Sequence, residues 1–87
     1  MKIADGFVLK KVADSYVVVP TGQNVVDFTS MITINETGEF IWRQLGSETT
    51  IEEIATAMCN EYEIDYETAK NDVEAFVEIL KNNKVLA

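Results

Sequence analysis

The spacing of the apolar residues changes once along this 87-residue chain, near Asn35, and that change limits the folds the chain can adopt. Before Asn35, short segments rich in β-branched and aromatic residues alternate with turn-forming residues, as in antiparallel strands. After Asn35, apolar residues recur every three or four positions, as in amphipathic helices. This order predicts an α+β protein in which a small antiparallel sheet packs against three helices.

The first part contains three predicted strands. Phe7–Val12 and Tyr16–Val19 flank the turn-forming segment Ala13–Ser15 and predict a hairpin. Met31–Ile34 is the third strand and runs directly into the first helix. Between the second and third strands, Gly22–Ser30 could form a loop, a bulge or a short extra strand, and the sequence leaves these alternatives open.

Each predicted helix begins at a residue that can accept hydrogen bonds from the first turn. Asn35 and Asp65 are such N-cap residues, and Thr50 with Glu53 has the spacing of a capping box. Gly46 is a predicted stop for the first helix. The apolar faces are formed by Phe40, Ile41 and Leu45, then by Ile51, Ile54, Ala55, Met58 and Tyr62, and finally by Ala69, Val73, Phe76, Val77 and Leu80.

Length and composition predict one domain over residues 1–87, with 47% apolar and 25% charged residues. The net charge of −8 is uneven: residues 1–34 sum to zero, and residues 35–87 hold twelve acids against four bases. Binding to phosphates requires a cluster of Lys and Arg, so nucleic acid and anionic membranes are disfavoured as partners. One cysteine, no apolar run long enough to span a bilayer and no signal-peptide core predict a cytoplasmic protein.

Residues for catalysis are scarce, so we expect a non-catalytic protein without a cofactor or metal. Histidine, the commonest general base and zinc ligand, is absent. The lone Cys59 adjoins the apolar face of the second helix, which favours an ordinary packed cysteine. Acids at 61, 63, 65 and 72 have calcium-loop spacing, but Tyr66 replaces the required glycine, and helix ends explain them better.

Two features suit recognition of an extended peptide. The third strand is short and apolar, and at a sheet edge its backbone could pair with a partner strand. Asp72, Phe76 and Ile79 are spaced i, i+4, i+7 and form either the edge of a broad core face or the wall of a groove. Trp42 is more typical of a core than of a groove wall.

Several segments together resemble the PqqD-like family. They are Gly6–Leu9, Tyr16–Pro20, Met31–Trp42 with its Asn-Glu-Thr-Gly start to the helix, and the last helix. The resemblance covers nearly the whole chain in order. It implies a winged-helix-like fold, with three N-terminal antiparallel strands followed by a three-helix bundle. Gly22–Ser30 is longer than the expected turn in the pyrroloquinoline quinone proteins, which favours a related peptide pathway.

The resemblance also implies a function and a site. Family members bind the leader segment of ribosomally made precursor peptides by strand addition and present it to a modifying enzyme, in the founding pathway a radical SAM protein. Mapped onto this chain, the peptide-binding residues would be Met31, Ile32, Thr33, Ile34, Asp72, Phe76, Ile79 and Lys84. Phe76→Asp is then expected to weaken peptide binding without unfolding the domain.

Three other hypotheses stay open. A scaffold that docks to a partner enzyme without binding a peptide of its own would have the same sequence features. A homodimer could form through pairing of the exposed strand. A winged-helix transcription regulator would need basic residues on its recognition helix, and the helical half of this chain is acidic.

Overall fold

The computed structural model describes residues 1–21 and 32–87. Its first two strands, β1 (Phe7–Val12) and β2 (Ser15–Pro20), pair antiparallel with Val12 opposite Ser15. The predicted hairpin is confirmed, with a loop shorter by one residue, because Ser15 is already part of β2. Ala13, in this two-residue loop, has φ of 56°, the left-handed conformation that such tight turns require.

The third strand, β3 (Ile32–Ile34), pairs antiparallel with β2 and completes a sheet of order β1-β2-β3. Ile32 lies opposite Val18, and Ile34 lies opposite Tyr16. Because successive side chains point to opposite faces, Ile32 and Ile34 are buried against the helices, whereas Thr33 between them is exposed. The predicted strand is confirmed over these three residues, and Met31 and Gly22–Ser30 lie outside the described residues.

Three helices follow: α1 (Glu36–Gln44), α2 (Ile51–Glu61) and α3 (Tyr66–Asn82). All three predicted N-caps are confirmed, because each side chain accepts a hydrogen bond from a backbone N–H in the first turn. The acceptors are Asn35 for Gly38 N at 2.9 Å, Thr50 for Glu53 N at 3.2 Å and Asp65 for Thr68 N at 3.3 Å. These bonds satisfy donors that a helix start leaves unpaired and fix where each helix begins.

The core lies between the sheet and the helices. Its fully buried side chains come from every layer, and they include Val18, Ile41, Leu45, Ile54, Met58, Val73 and Leu80. The predicted apolar faces of α2 and α3 form much of this core. Three antiparallel strands followed by three helices confirm the α+β fold class, for which winged-helix-like is a loose descriptor.

The two ends of the chain meet beside the helices. Ile3 forms an antiparallel bridge with Leu86, and Val85 is completely buried. Val85 and Leu86 therefore anchor the end of the chain to the rest of the domain. Among the described residues, no helix is both long and apolar enough to cross a bilayer.

Candidate functional site

The outer edge of β3 is the first part of the candidate site. Strand order β1-β2-β3 places β3 at one edge, and no strand of the described residues pairs with its outer side. In an antiparallel ladder the backbone groups of a strand point alternately toward each neighbour. Some N–H and C=O groups of β3 therefore face away from β2 and can bond to an added strand. The sequence alone could not establish this position.

A hollow of about 280 Å³ adjoins this edge, where β3 ends and α1 begins, and α3 closes its far side. The junction contributes polar groups and a glycine, and α3 contributes one acid and two apolar side chains. The lining residues are Asn35, Thr37, Gly38, Ile41, Asp72, Phe76 and Ile79. This volume suits one or two side chains of a bound chain rather than a complete small-molecule ligand.

Gly38 allows β3, α1 and α3 to pack closely beside this hollow. A Cβ placed on Gly38 would lie 2.9 Å from Cβ of Ile34 and 3.0 Å from Cε1 of Phe76, and both distances are shorter than side chains normally allow. Only glycine therefore permits the first turn of α1 to approach β3 and α3 so closely. Since this approach places the edge of the Phe76 ring beside the end of β3, Gly38 sets the width of the site.

The wall formed by α3 combines a buried and an exposed part. Phe76 is only 9% exposed and belongs to the hydrophobic core, whereas Ile79, at 47%, is among the most exposed large apolar residues described. Asp72 is exposed one turn before Phe76. Phe76 is thus a core residue that also lines the hollow, and the side chains of Ile79 and Asp72 are exposed beside it; a ligand-binding role of this stripe stays a prediction.

Because Phe76 is buried, Phe76→Asp is not a clean test of peptide binding. Truncating a buried Phe costs about 3–5 kcal/mol, and burying a carboxylate adds a desolvation penalty. The total stability of a small domain is about 5–15 kcal/mol. The expectation that this substitution leaves the fold intact is not supported by the 9% exposure of the ring. Ile79 is the residue that can be changed without disturbing the core.

The other predicted site residues are distributed as follows. Ile32 and Ile34 turn their side chains into the core, so within β3 they offer a partner mainly backbone, and only the Thr33 side chain is exposed. Met31 lies outside the described residues. Lys84 lines a different hollow, of about 450 Å³, together with Val77 and Lys81 near the end of α3.

Sequence reasoning missed the contribution of α1 to the hollow. Asn35 was predicted only as a helix cap and Ile41 only as a core residue, yet both line the hollow with Thr37 and Gly38. A signal was available: a glycine in the first turn of a helix weakens the helix, so its presence indicates a close approach of another element. Only the structure shows which elements approach.

Few ionisable side chains are found among the described residues that line the hollow. Asp72 is the one such side chain, and none of these residues is a cysteine, lysine or tyrosine. Among the described residues no three His, Cys, Asp or Glu side chains gather as a metal site would require. Of the acids with calcium-loop spacing, Asp65 is engaged at the start of α3, where its carboxylate accepts a bond of 2.7 Å from the Thr68 hydroxyl. This hydroxyl, and then the Thr68 N–H, holds the pKa of Asp65 below its ordinary value.

Solved structures share this architecture. The chain is 30% identical, with a TM-score of 0.76, to a structure described as TbiB1 in complex with the TbiA(beta) leader peptide, and the match covers 99% of this chain and 94% of that one. A structure described as lasso peptide synthetase B1 complexed with the leader peptide is 20% identical, with a TM-score of 0.73 and coverage of 97% and 93%. At that lower identity, the second likeness concerns the fold alone. No curated protein matches the chain.

The sequence itself matches a profile of the family described as coenzyme PQQ synthesis protein D (PqqD) over residues 16–86. The match begins in β2 and includes β3, all three helices and the buried C-terminal segment. It therefore contains the sheet edge and all the described residues that line the adjoining hollow. The chain belongs to the PqqD family.

Proposed function

We propose that this protein binds the leader segment of a ribosomally made precursor peptide and presents it to a modifying enzyme. The leader adds a strand to the open edge of β3 and lies against α3. The observation that carries this proposal is the position of that edge directly beside the hollow walled by Phe76 and Ile79. An edge strand next to an apolar helix face is the arrangement by which domains bind peptides through strand addition.

The length of β3 indicates what the leader must contribute. The three described residues of β3 offer an added chain only a few backbone hydrogen bonds, each with a net value of about 0.5–1.5 kcal/mol. Micromolar affinity requires about 8 kcal/mol, so backbone pairing alone falls short. Burying one large apolar side chain adds about 1.5–3 kcal/mol. The leader is therefore expected to place at least one apolar side chain in the hollow against Ile79.

The solved relative at 30% identity supports a peptide as the ligand. It is described as a complex with a leader peptide, and the chain matches it over nearly its whole length. The lining of the hollow also fits a recognition role, because the described residues that form it are mostly apolar or uncharged and Asp72 is the one with an ionisable side chain. We propose that the chemistry is performed by a separate enzyme, of the radical SAM class or another peptide-modifying class.

Calorimetric titration tests the proposal directly. The ligands are peptides that match the N-terminal segments of short open reading frames encoded beside this gene. We expect a one-to-one complex at about micromolar affinity or tighter, with a negative heat-capacity change from apolar burial. Binding by none of these peptides, from a folded protein, would contradict leader recognition and favour a scaffold that only docks to its enzyme.

Two variants locate the binding site. Ile79→Asp places a charge on the exposed wall of the hollow and is expected to weaken leader binding at least tenfold. Tyr66→Asp is the matched control, because Tyr66 is a similarly exposed apolar residue at the start of the same helix and lines none of the hollows described here. Equal loss of affinity in the two variants, or no loss in either, would show that the leader does not lie against this face of α3.

A further inference from the structure

A second groove lies at the opposite edge of the sheet, between β1 and α1. Its volume is about 450 Å³. It combines aromatic and aliphatic side chains with two cations, and its lining includes Phe7, Leu9, Lys11, Tyr16, Trp42 and Arg43. Trp42 is half-buried here, so it packs on the core and also forms a wall of this groove. The proposed leader site uses none of these residues.

The β1 edge resembles the β3 edge in its backbone. Within the part of the chain that the structure describes, β1 pairs with β2 only. Between Val8 and Val12, alternate backbone groups therefore point away from β2, at the edge of the sheet that adjoins this groove. The sheet thus offers two edges, each beside a hollow and a helix. A segment bound at β1 would be separated from the leader by the width of the sheet, so both could bind at once.

Charge distinguishes the second groove from its surroundings. Residues 35–87 carry −8, yet the charged residues lining this groove are Lys11, Arg43 and Glu39. Glu39 forms an ion pair with Arg43 one turn later on α1 and is mostly buried, with 13% of its side chain exposed. Lys11 is exposed. Lys10, directly before it in β1, is also exposed and lies on the other face of the strand. The two cations and the one anion that line the groove give it a net charge of +1 on a protein whose net charge is −8, and this favours a segment that carries acids.

The same charges argue against a second copy of this chain as the occupant. Antiparallel pairing of β1 with itself would place Lys10 and Lys11 of both copies along one seam, where like charges repel. Lysines on an edge strand are a common means of preventing such self-pairing. A partner strand with acidic side chains would instead be attracted by Lys11, the lysine of β1 that lines the groove. The edge is thus selective for a different chain.

We propose that the groove between β1 and α1 binds an extended acidic segment, carrying apolar side chains, of the enzyme that receives the leader. The acids of this segment pair with Lys11 and Arg43, and its apolar residues contact Leu9 and Trp42. The inference rests on the proposed transfer of the leader to a separate enzyme. It adds that the protein holds peptide and enzyme at opposite edges of one sheet.

The experiment uses the full chain, its leader peptide at saturation, and the purified modifying enzyme encoded beside the gene. Trp42 is the only tryptophan in the chain, so 5-fluorotryptophan labelling yields a single ¹⁹F resonance in this groove. We expect that resonance to shift when the enzyme is added and to stay in place when the leader alone is added. An unchanged resonance in the presence of bound enzyme would overturn the inference.

Charge reversal at neighbouring lysines provides the second measurement. Lys11→Glu, in the groove, is expected to weaken enzyme binding at least fivefold, with the difference shrinking at high salt. Lys10→Glu is the matched control, since it makes the same charge change on the opposite face of the strand, and less than a twofold effect is expected. Leader affinity should be unchanged in both variants.

The remaining outcomes also decide the question. Equal effects of the two lysine variants would show that only the overall charge matters, which overturns a specific site. Self-association of the wild type that Lys11→Glu abolishes would make a second copy the occupant and overturn the enzyme segment. Failure of the leader titration with enzyme binding intact would refute leader recognition and leave this docking site standing. Leader binding without any enzyme binding would refute the docking site alone.

Discussion

Replacing Gly38 by alanine tests the packing of the candidate site. Gly38 lies in the first turn of α1, where helix propensity favours alanine by about 0.5–1 kcal/mol. The new methyl group would lie 2.9 Å from Cβ of Ile34 and 3.0 Å from the Phe76 ring. Cβ of Ile34 is fixed to the strand backbone, so it cannot turn away as the end of a flexible side chain could. Overpacking of this kind costs about 1–3 kcal/mol.

Helix propensity stabilises the variant and overpacking destabilises it, and the overpacking term is the larger. We expect Gly38→Ala to lower the free energy of unfolding by about 1 kcal/mol, the difference between the centres of those ranges. For a domain of this size that corresponds to a fall in Tm of roughly 4–8 °C. Because the methyl group also pushes β3 away from α1 beside the hollow, leader affinity should fall as well.

Thermal and urea unfolding followed by circular dichroism measure this change. Gly46→Ala is the control, because its added Cβ would meet only the carbonyl oxygen of Arg43, at 3.2 Å, in an exposed segment after α1. That variant should stay within about 0.5 kcal/mol of the wild type, as most surface changes do. A Gly38→Ala protein as stable as the wild type, or more stable, would refute the close approach of α1 to β3 and α3.

Three further predictions follow from the same geometry. Saturating leader at one hundred times Kd should stabilise the protein by about 2.7 kcal/mol and raise Tm accordingly, and at the same leader concentration a tenfold loss of affinity in Ile79→Asp should reduce this stabilisation to about 1.4 kcal/mol in a thermal scan. Lys84→Glu should leave leader affinity unchanged in calorimetry, because Lys84 lines a separate hollow. The pKa of Asp65 lies below its ordinary value of 3.8, so its cap stabilises α3 fully above that pH and loses this effect as pH falls through the lower, folded-state pKa. Urea unfolding between about pH 5 and pH 2 should therefore show a shallower acid loss in Asp65→Asn.

Much of the fold was predictable because its determinants are local. The three N-caps depend on residues three positions apart, and the helix faces depend on a repeat of 3.6 residues, so both can be read from a short window. The strands are also recognisable from a short window, because their side chains point alternately to the two faces of the sheet. The one visible error in the hairpin, the assignment of Ser15 to the turn, arose because a two-residue loop can be formed by Ala13 in a left-handed conformation that alanine rarely adopts.

The site was less predictable because it depends on contacts between distant elements. No local pattern shows that β3 is an edge strand, since strand order is a property of the whole sheet. Nor does the spacing of Asp72, Phe76 and Ile79 reveal which of them is buried. Their exposure depends on how closely α1 approaches α3, and that is set by Gly38. The resemblance to a family indicated that β3 and α3 form the site. The structure showed that the junction between β3 and α1 also lines it.

The double role of Phe76 couples folding to recognition in this protein. Its ring is part of the core and also lines the hollow, so a substitution there changes the packing between α3 and the start of α1 as well as any contact with a ligand. A substitution there would lower leader affinity by reducing the folded fraction even if the leader never touched the ring. Affinity losses at Phe76 therefore cannot define the binding surface, whereas losses at the exposed Ile79 can. The peptide-binding surface of so small a domain has to be mapped at the residues that the core does not use.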